Sequence, residues 1–150
     1  MSLKDKLTED MKQAMKDKEA GKLRLSVIRM VRAAIKNVEI DTRTELSEEE
    51  VISIIAKEVK MRRDSMEEFK KGQRDDLVEQ LEQEIEILLP YLPKQLTEAE
   101  VREIVTEAVA VSGATSSKDM GKVMAVLMPK VKGRADGKLV NNIVRELLNQ

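Results

Sequence analysis

The chain has 150 residues with neither cysteine nor histidine, and its 27 basic residues nearly balance 28 acidic ones. The lack of both residue types excludes disulfides, thiolate nucleophiles, zinc–cysteine sites and Ser-His or Cys-His catalysis. Because the chain contains one tyrosine and one phenylalanine, its composition also disfavours single-strand recognition by stacking on a row of aromatic side chains.

Charge distribution and the N-terminal residues bear on partners and location. Basic residues predominate at both ends of the chain and acidic residues in the segment 41–100, an asymmetry that suits a polyanionic partner at one surface. The sequence has no run of about 18 apolar residues, and its first residues lack the apolar stretch of a signal peptide. We therefore expect a cytoplasmic protein that does not engage a membrane.

Every long segment has a helical period, while glycine and proline are scarce, which predicts an all-α fold. A first helix over residues 2–19 has a thin apolar stripe and ends at Gly21, and we expect it to pack against a partner or to detach. A second helix over residues 22–38 is apolar over a wide arc, which predicts the centre of a helical bundle. Its apolar positions are Leu23, Val27, Ile28, Val31, Ala34, Ile35 and Val38.

The third and fourth helices have clear boundaries. A capping box that starts at Ser47 opens the third helix, and Gly72 ends it. Glu58 and Arg62 lie four residues apart on its outer face, where a solvated ion pair explains them. The fourth helix covers residues 75–89. The glutamates opposite its apolar stripe are Glu79, Glu82, Glu84 and Glu86. Three of them, Glu79, Glu82 and Glu86, have the spacing i, i+3, i+7 that could serve a cation or acid/base chemistry, but we interpret them as solvated side chains.

Three short amphipathic helices follow a break at residues 90–93, where two prolines interrupt the helical pattern. We take this break as the boundary between an N-terminal helical bundle, 1–93, and a C-terminal domain, 94–150. A capping box at Thr97 opens the first of the three helices, and Ser116 opens the second. Together they predict a small three-helix domain.

A basic turn bounded by glycines joins the last two helices. Pro129 is predicted to end the sixth helix, and Asp136 is the predicted N-cap of the seventh. Because the basic residues of the turn precede a helix N-terminus, whose free amides attract anions, the turn can seat a backbone phosphate. The alternative is a solvated hairpin in which Gly133 and Gly137 supply special backbone conformations. A Walker A loop is not matched, since Leu139 replaces its Ser/Thr and the segment is short by one residue.

Several segments together resemble the GatB/YqeY family, on its YqeY side, over essentially the whole chain. They are Arg24-Leu25 with Ile28-Arg29, Ala33-Ala34-Ile35-Lys36-Asn37 with Glu39, Leu89-Pro90-Tyr91-Leu92-Pro93-Lys94-Gln95-Leu96, Met120-Gly121-Lys122-Val123-Met124, and Lys132 to Asn141. The resemblance implies a helical bundle followed by a domain similar to the tail of the B subunit of tRNA-dependent amidotransferase. That tail helps to hold the tRNA body.

By this resemblance we expect a non-catalytic binding protein, without cofactor or metal, that holds tRNA, an aminoacyl-tRNA complex or another structured RNA. The residues expected to face the RNA are Lys118, Lys122, Lys130, Lys132, Arg134 and Lys138. One alternative is a protein that docks onto an amidotransferase or an aminoacyl-tRNA synthetase. A second is carbon–nitrogen ligase activity with glutamine as amido-N-donor, which the family name implies although the sequence shows no nucleophile, ATP loop or ammonia channel.

Overall fold

A computed structural model describes residues 1–149 of the chain. Within this range every long element is a helix and no strand occurs, which confirms the all-α prediction. The helices are α1 (Leu3–Lys16), α2 (Lys22–Thr42), α3 (Glu48–Lys71), α4 (Asp75–Leu88), α5 (Glu98–Ser112), α6 (Met120–Val131) and α7 (Gly137–Leu148). None of these helices is long and apolar enough to cross a membrane.

The chain divides into two compact units, Met1–Leu92 (unit 1) and Pro93–Gln150 (unit 2). Each unit has its own cluster of buried apolar side chains. Unit 1 contains α1 to α4, and unit 2 contains α5 to α7. That the chain consists of two separate domains divided after residue 93 stays a prediction, and limited proteolysis tests it, because an exposed linker should be cut near residues 89–95.

Helix α1 packs closely on the start of α2. Leu7 and Ala14 are completely buried, and Leu7 belongs to the core of unit 1 together with Val27, Ile28 and other α2 residues. The backbone of Gly21 lies against this helix: a Cβ built on Gly21 would be 2.2 Å from the carbonyl oxygen of Ala14. Glycine is therefore required at this close approach.

A polar contact fastens the end of α4 to the first two helices. Tyr91, in the 3₁₀ turn Leu89–Tyr91, is buried, and its hydroxyl donates a hydrogen bond to the carboxylate of Asp10. Arg24 completes the contact, with its Nη2 atom 3.3 Å from Oδ1 of Asp10. Burial, followed by the hydrogen bond to Asp10, raises the pKa of the Tyr91 hydroxyl. The phenol therefore stays protonated and a donor at neutral pH.

Two charged residues that the sequence pattern places on solvated faces are buried between α3 and α4. Arg62 is 6% exposed and Glu84 is 9% exposed, and Nε of Arg62 lies 3.1 Å from Oε1 of Glu84. Arg62 also donates to the carbonyl oxygen of Glu58 at 3.0 Å. The solvated interpretation is wrong because a spacing within one helix does not reveal a partner on the next helix, 22 residues away.

Helix α2 continues four residues beyond the predicted end at residue 38. The hydroxyl of Thr42 donates to the carbonyl of Val38 at 2.8 Å, and the helix ends where Arg43 takes a left-handed conformation, with φ of 56°. Val38 is 37% exposed. The helix thus continues past the predicted apolar stripe, on a segment that is largely exposed.

Unit 2 begins with the predicted capping box. The Thr97 hydroxyl accepts from the amide of Glu100 at 3.2 Å, and the Glu100 carboxylate accepts from the amide of Thr97 at 3.1 Å. Gly113, with φ of 71°, ends α5. The core lies between the three helices and contains Val101, Val105, Ala108, Val123, Leu127, Val131, Val140, Ile143, Val144 and Leu148.

Candidate nucleic-acid interface

Helix α6 leads into the basic turn and passes through its proline. The prediction that Pro129 ends this helix is wrong, since α6 extends to Val131. Proline removes one backbone donor, but the amide of Lys132 still donates to the carbonyl of Met128 at 3.0 Å. Val131 is also 3% exposed and belongs to the core of unit 2, and its burial favours the additional half-turn of helix.

The turn itself has a defined backbone. The amides of Arg134 and Ala135 both donate to the carbonyl of Val131, at 2.9 and 3.1 Å. Gly133 has φ of 74°, a conformation that favours glycine. The expectation of a special backbone conformation is therefore confirmed for Gly133. It is wrong for Gly137, which is the first residue of α7 and has a negative φ.

Asp136 caps α7 as the sequence predicts. Its backbone is extended, and its Oδ1 atom accepts from the amide of Lys138 at 3.2 Å. The same carboxylate places a negative charge at the N-terminus of α7, where it occupies one of the free amides. Consequently the anion-binding capacity of this region comes from its lysine and arginine side chains more than from the helix end.

Residues that precede α5 hold the turn in place. The side-chain amide of Gln95 donates to the carbonyl of Gly133 at 2.8 Å and to that of Pro93 at 3.1 Å. The amide of Leu96 donates to the carbonyl of Arg134 at 2.7 Å. The turn is thus fixed from outside as well as by its own hydrogen bonds. Gln95 and Leu96 belong to the segment 89–96 that carries the family resemblance, but no periodicity in the sequence indicates this role.

Four of the six predicted RNA-facing residues occur together at this turn. We call the set the turn surface; it consists of Lys130, Lys132, Arg134 and Lys138. The ammonium groups of Lys130 and Lys132 are exposed, and among residues 1–149 neither forms an ion pair. Arg134 is half-buried and donates to the carbonyl of Lys130 at 3.2 Å, so part of its guanidinium serves to cap α6. Lys138 is exposed.

The other two predicted residues lie at the opposite end of α6. Lys118 is exposed in the 3₁₀ turn Ser117–Asp119, and Lys122 is exposed in the first turn of α6. Nζ of Lys122 is 3.8 Å from Oδ1 of Asp119. A rise of 1.5 Å per residue separates Lys122 from Lys130 by about 12 Å along the helix axis. The six residues therefore form two separate sets.

Lys94 is a further cation near the turn that the sequence pattern does not indicate. It is exposed, and its charge together with that of Arg134 acts on Glu100. The pKa of the Glu100 carboxyl is held below its ordinary value, first by hydrogen bonds from Thr97 and then by these two positive charges. Lysine and arginine offer only donors, so this part of unit 2 can bind anions.

Comparison with known proteins identifies the family. A profile described as Yqey-like protein matches residues 4–148. The chain belongs to the Yqey-like protein family. This confirms the resemblance on its YqeY side, while the relation to amidotransferases and to tRNA stays a prediction.

Several proteins similar to this chain have the name "Altered inheritance of mitochondria protein 41, mitochondrial". The protein of Pyrenophora tritici-repentis is 32% identical over 147 residues, covering 95% of this chain and 79% of the relative. That of Lachancea thermotolerans is 34% identical over 148 residues, covering 93% and 78%. That of Kluyveromyces lactis is 39% identical over 108 residues, covering 67% of this chain and 57% of the relative. The matched region leaves part of each relative uncovered.

The names of these relatives overturn the predicted cytoplasmic location, because they describe mitochondrial proteins. The prediction depended on the absence of an apolar N-terminal stretch. That absence argues only against a secretory signal, since mitochondrial transit peptides are amphipathic and rich in arginine and serine. The N-terminal sequence therefore did not distinguish a cytoplasmic from a mitochondrial location.

Proposed function

We propose that this protein is a non-catalytic RNA-binding protein that holds tRNA, an aminoacyl-tRNA complex or another structured RNA on the turn surface of unit 2. The observation that carries the proposal is the pair Lys130 and Lys132, which are exposed and lack ion pairs among residues 1–149. Exposed cations without counter-charges bind phosphates and release counterions from the nucleic acid.

Rigidity of the turn supports the same proposal. Phosphate contacts fix the register and orientation of a nucleic acid on a protein. The backbone that carries these cations is held in place, since Gln95 and Leu96 donate to the carbonyls of Gly133 and Arg134. Both aromatic residues, Phe69 and Tyr91, belong to unit 1. Binding at unit 2 therefore uses shape and phosphate contacts and not base stacking.

The test is binding of purified full-length protein to labelled total tRNA over a series of salt concentrations. We compare the natural protein with the double variant Lys130→Ala/Lys132→Ala. The variant should bind more weakly at low salt. The slope of log affinity against log salt should also fall, by about 0.7 to 0.9 for each phosphate contact that is lost. Arg134 is left intact because its guanidinium also caps α6.

Two further variants control for net charge and for position. Arg145→Ala removes an exposed cation of α7 that has no ion pair in residues 1–149, and it should leave tRNA affinity nearly unchanged. Lys118→Ala/Lys122→Ala probes the other end of α6, and a smaller loss is expected because Lys122 already pairs with Asp119. Equal losses in all three variants, or unchanged binding of Lys130→Ala/Lys132→Ala, would contradict the proposal.

Docking onto an amidotransferase or an aminoacyl-tRNA synthetase is the second candidate, and α1 offers it little support. The thin apolar stripe of α1 is largely covered by its own unit, since Leu7 and Ala14 are 0% exposed. Met15 of α1 and Met128 of α6 are 51% and 44% exposed and remain available to a partner. The carbon–nitrogen ligase alternative gains no support from the contacts of residues 1–149.

A further inference from the structure

A pocket of about 360 Å³ opens between α1 and α2 in unit 1. Leu7 and Ile35, both almost completely buried, form part of its wall, together with Ala33. This volume lies within the range of roughly 300 to 1,000 Å³ that is typical of small-molecule sites. The pocket therefore has the size and the apolar wall of a ligand site, and it lies outside the turn surface.

Three cations from one face of α2 line this pocket. Arg29, Arg32 and Lys36 follow one another at spacings of three and four residues, which places them on one side of the helix. From Arg29 to Lys36 the helix rises about 10 Å. Arg29 and Lys36 are exposed and Arg32 is half-buried, so all three charged groups are within reach of a molecule in the pocket.

None of the three has an acidic partner among residues 1–149. Nη1 of Arg32 contacts the sulfur of Met11 at 2.8 Å, and a thioether is a weak acceptor that carries no charge. The situation differs at a neighbouring cation of the same helix, since Arg24 pairs with Asp10 at 3.3 Å. The three α2 cations of the pocket are thus left without a counter-charge, whereas Asp10 of α1 pairs with Arg24.

The remaining charged groups of the pocket neutralise each other. Nζ of Lys4 lies 2.7 Å from Oε2 of Glu39, which also accepts from the amide of Leu46 at 2.9 Å. The hydrogen bond between Lys4 and Glu39 raises the pKa of Lys4 and lowers that of Glu39, so both side chains stay ionised at neutral pH. The one acid of the pocket is therefore engaged and does not compensate the three cations of α2.

We propose that this pocket binds a small phosphomonoester of nucleotide size, with its phosphate on Arg29, Arg32 and Lys36 and its organic part against Leu7, Ala33 and Ile35. A phosphomonoester carries a charge of about −1.5 to −2 at neutral pH, which suits three uncompensated cations. Arginine forks bind phosphate oxygens in pairs. The apolar wall favours a ligand with an organic part over inorganic phosphate. This proposal does not depend on RNA binding by unit 2.

Calorimetric titration of the full-length protein tests the pocket. The probes are the four ribonucleoside 5′-monophosphates, the four corresponding nucleosides and inorganic phosphate, each up to millimolar concentration. We expect saturable binding of at least one nucleotide, weaker binding of phosphate and no binding of the nucleosides. Arg29→Ala/Lys36→Ala should weaken nucleotide binding at least about tenfold, since two charge-assisted contacts are lost.

Two variants distinguish binding in the pocket from a general effect of the protein's net charge. Lys57→Ala/Lys70→Ala removes two exposed cations of α3 that have no ion pair in residues 1–149, and it should not alter nucleotide binding. Ala33→Leu keeps the charge but fills part of the pocket, and it should weaken binding. Arg32 is left in place because its contact with Met11 gives it a packing role.

Three results would overturn the proposal. The first is the absence of binding for all four nucleotides. The second is nucleoside binding as tight as nucleotide binding, which would exclude recognition of the phosphate. The third is an Arg29→Ala/Lys36→Ala variant that binds nucleotide as tightly as the natural protein, which would exclude these cations from the site. Loss of tRNA binding in Lys130→Ala/Lys132→Ala alone has no bearing on the pocket.

Discussion

The turn surface of unit 2 and the pocket of unit 1 have the same charged composition but different shapes. The turn has four basic residues against Asp136, and the pocket has four basic residues against Glu39. At the turn the cations lie on an exposed connection between two helices. In the pocket they face a concave space with Leu7 and Ile35 in its wall.

This difference in shape is the reason why we propose different ligands for two sites of similar net charge. An exposed set of cations contacts successive phosphates of a large polyanion, whose affinity depends strongly on salt. A pocket encloses one phosphate and covers an organic group with apolar surface. In the two proposals, local shape therefore distinguishes two sets of residues that a count of charges cannot.

Gly21→Ala is expected to have the largest effect, and it should damage the pocket selectively. The new Cβ would lie 2.2 Å from the Ala14 carbonyl oxygen, a backbone atom that cannot move without shifting α1 against α2. Overpacking of this kind should lower the free energy of unfolding of unit 1 by about 3 kcal/mol. Urea unfolding measures this loss, and the variant should lose nucleotide binding but keep tRNA binding.

The matched control is Gly121→Ala in α6. No atom lies within 4 Å of a Cβ at Gly121, so alanine should stabilise the helix, by up to about 1 kcal/mol. Opposite signs for the two substitutions would locate the effect in the contact between α1 and α2. A Gly21→Ala variant as stable as the natural protein would refute the close packing that forms the pocket.

Gln95→Ala is expected to have an intermediate effect, confined to the turn. It removes the donors to the carbonyls of Gly133 and Pro93, which should cost about 1 kcal/mol in the stability of unit 2. The affinity for tRNA should fall because the cations lose their fixed positions, while nucleotide binding should not change. Gln83→Ala, on the exposed face of α4, is the control for glutamine removal. Unchanged tRNA affinity in Gln95→Ala would show that Gln95 does not position the turn.

Glu39→Gln should have the smallest effect. It changes the charge of the pocket without changing that of the turn surface. The hydrogen bond from Lys4 keeps the pKa of Glu39 below its ordinary value of 4.5. The native state therefore holds the carboxylate ionised more strongly than the unfolded state, and its stabilisation is present above pH 4.5 and lost as the pH falls further. Glu39→Gln should flatten this acid dependence of the unfolding free energy.

The same substitution removes one of the two acidic partners of Lys4 and leaves Glu45 at 3.6 Å. The pocket therefore becomes more positive, and nucleotide affinity should rise slightly. Binding of tRNA to the turn surface should stay constant. Calorimetry at pH 7 and urea unfolding over a pH series measure the two effects. Weaker nucleotide binding in Glu39→Gln would place Glu39 among the groups that contact the ligand.

Sequence patterns predicted the helices well where a local signal fixes each end. The capping box at Thr97 and the glycine at position 72 are local signals, and the structure has both boundaries. The burial of Arg62 and Glu84 could not be predicted, because their spacing within each helix is that of solvated residues. Their contact depends on the alignment of α3 with α4, which no single helix contains.

At the two candidate sites, too, contacts between distant segments could not be predicted from the sequence. The cations of the turn are neighbours in sequence, so their proximity was predictable, but the role of Gln95, 38 residues from Gly133, was not. On α2 the spacings of three and four residues place Arg29, Arg32 and Lys36 on one side of the helix, but a basic face by itself does not indicate a pocket. A pocket arises only when α1 supplies the opposite wall, and this arrangement is tertiary information.

The buried pair of Arg62 and Glu84 also restricts which alignment of α3 and α4 is allowed. Sliding α4 by one turn, about 5.4 Å, would leave each charge buried without its partner, at a cost of several kcal/mol. We expect Arg62→Met/Glu84→Leu to unfold at equal or higher urea concentration but to show duplicate NMR signals from shifted helices. Uniqueness of the native alignment and resistance to unfolding would then have separate origins in this four-helix unit.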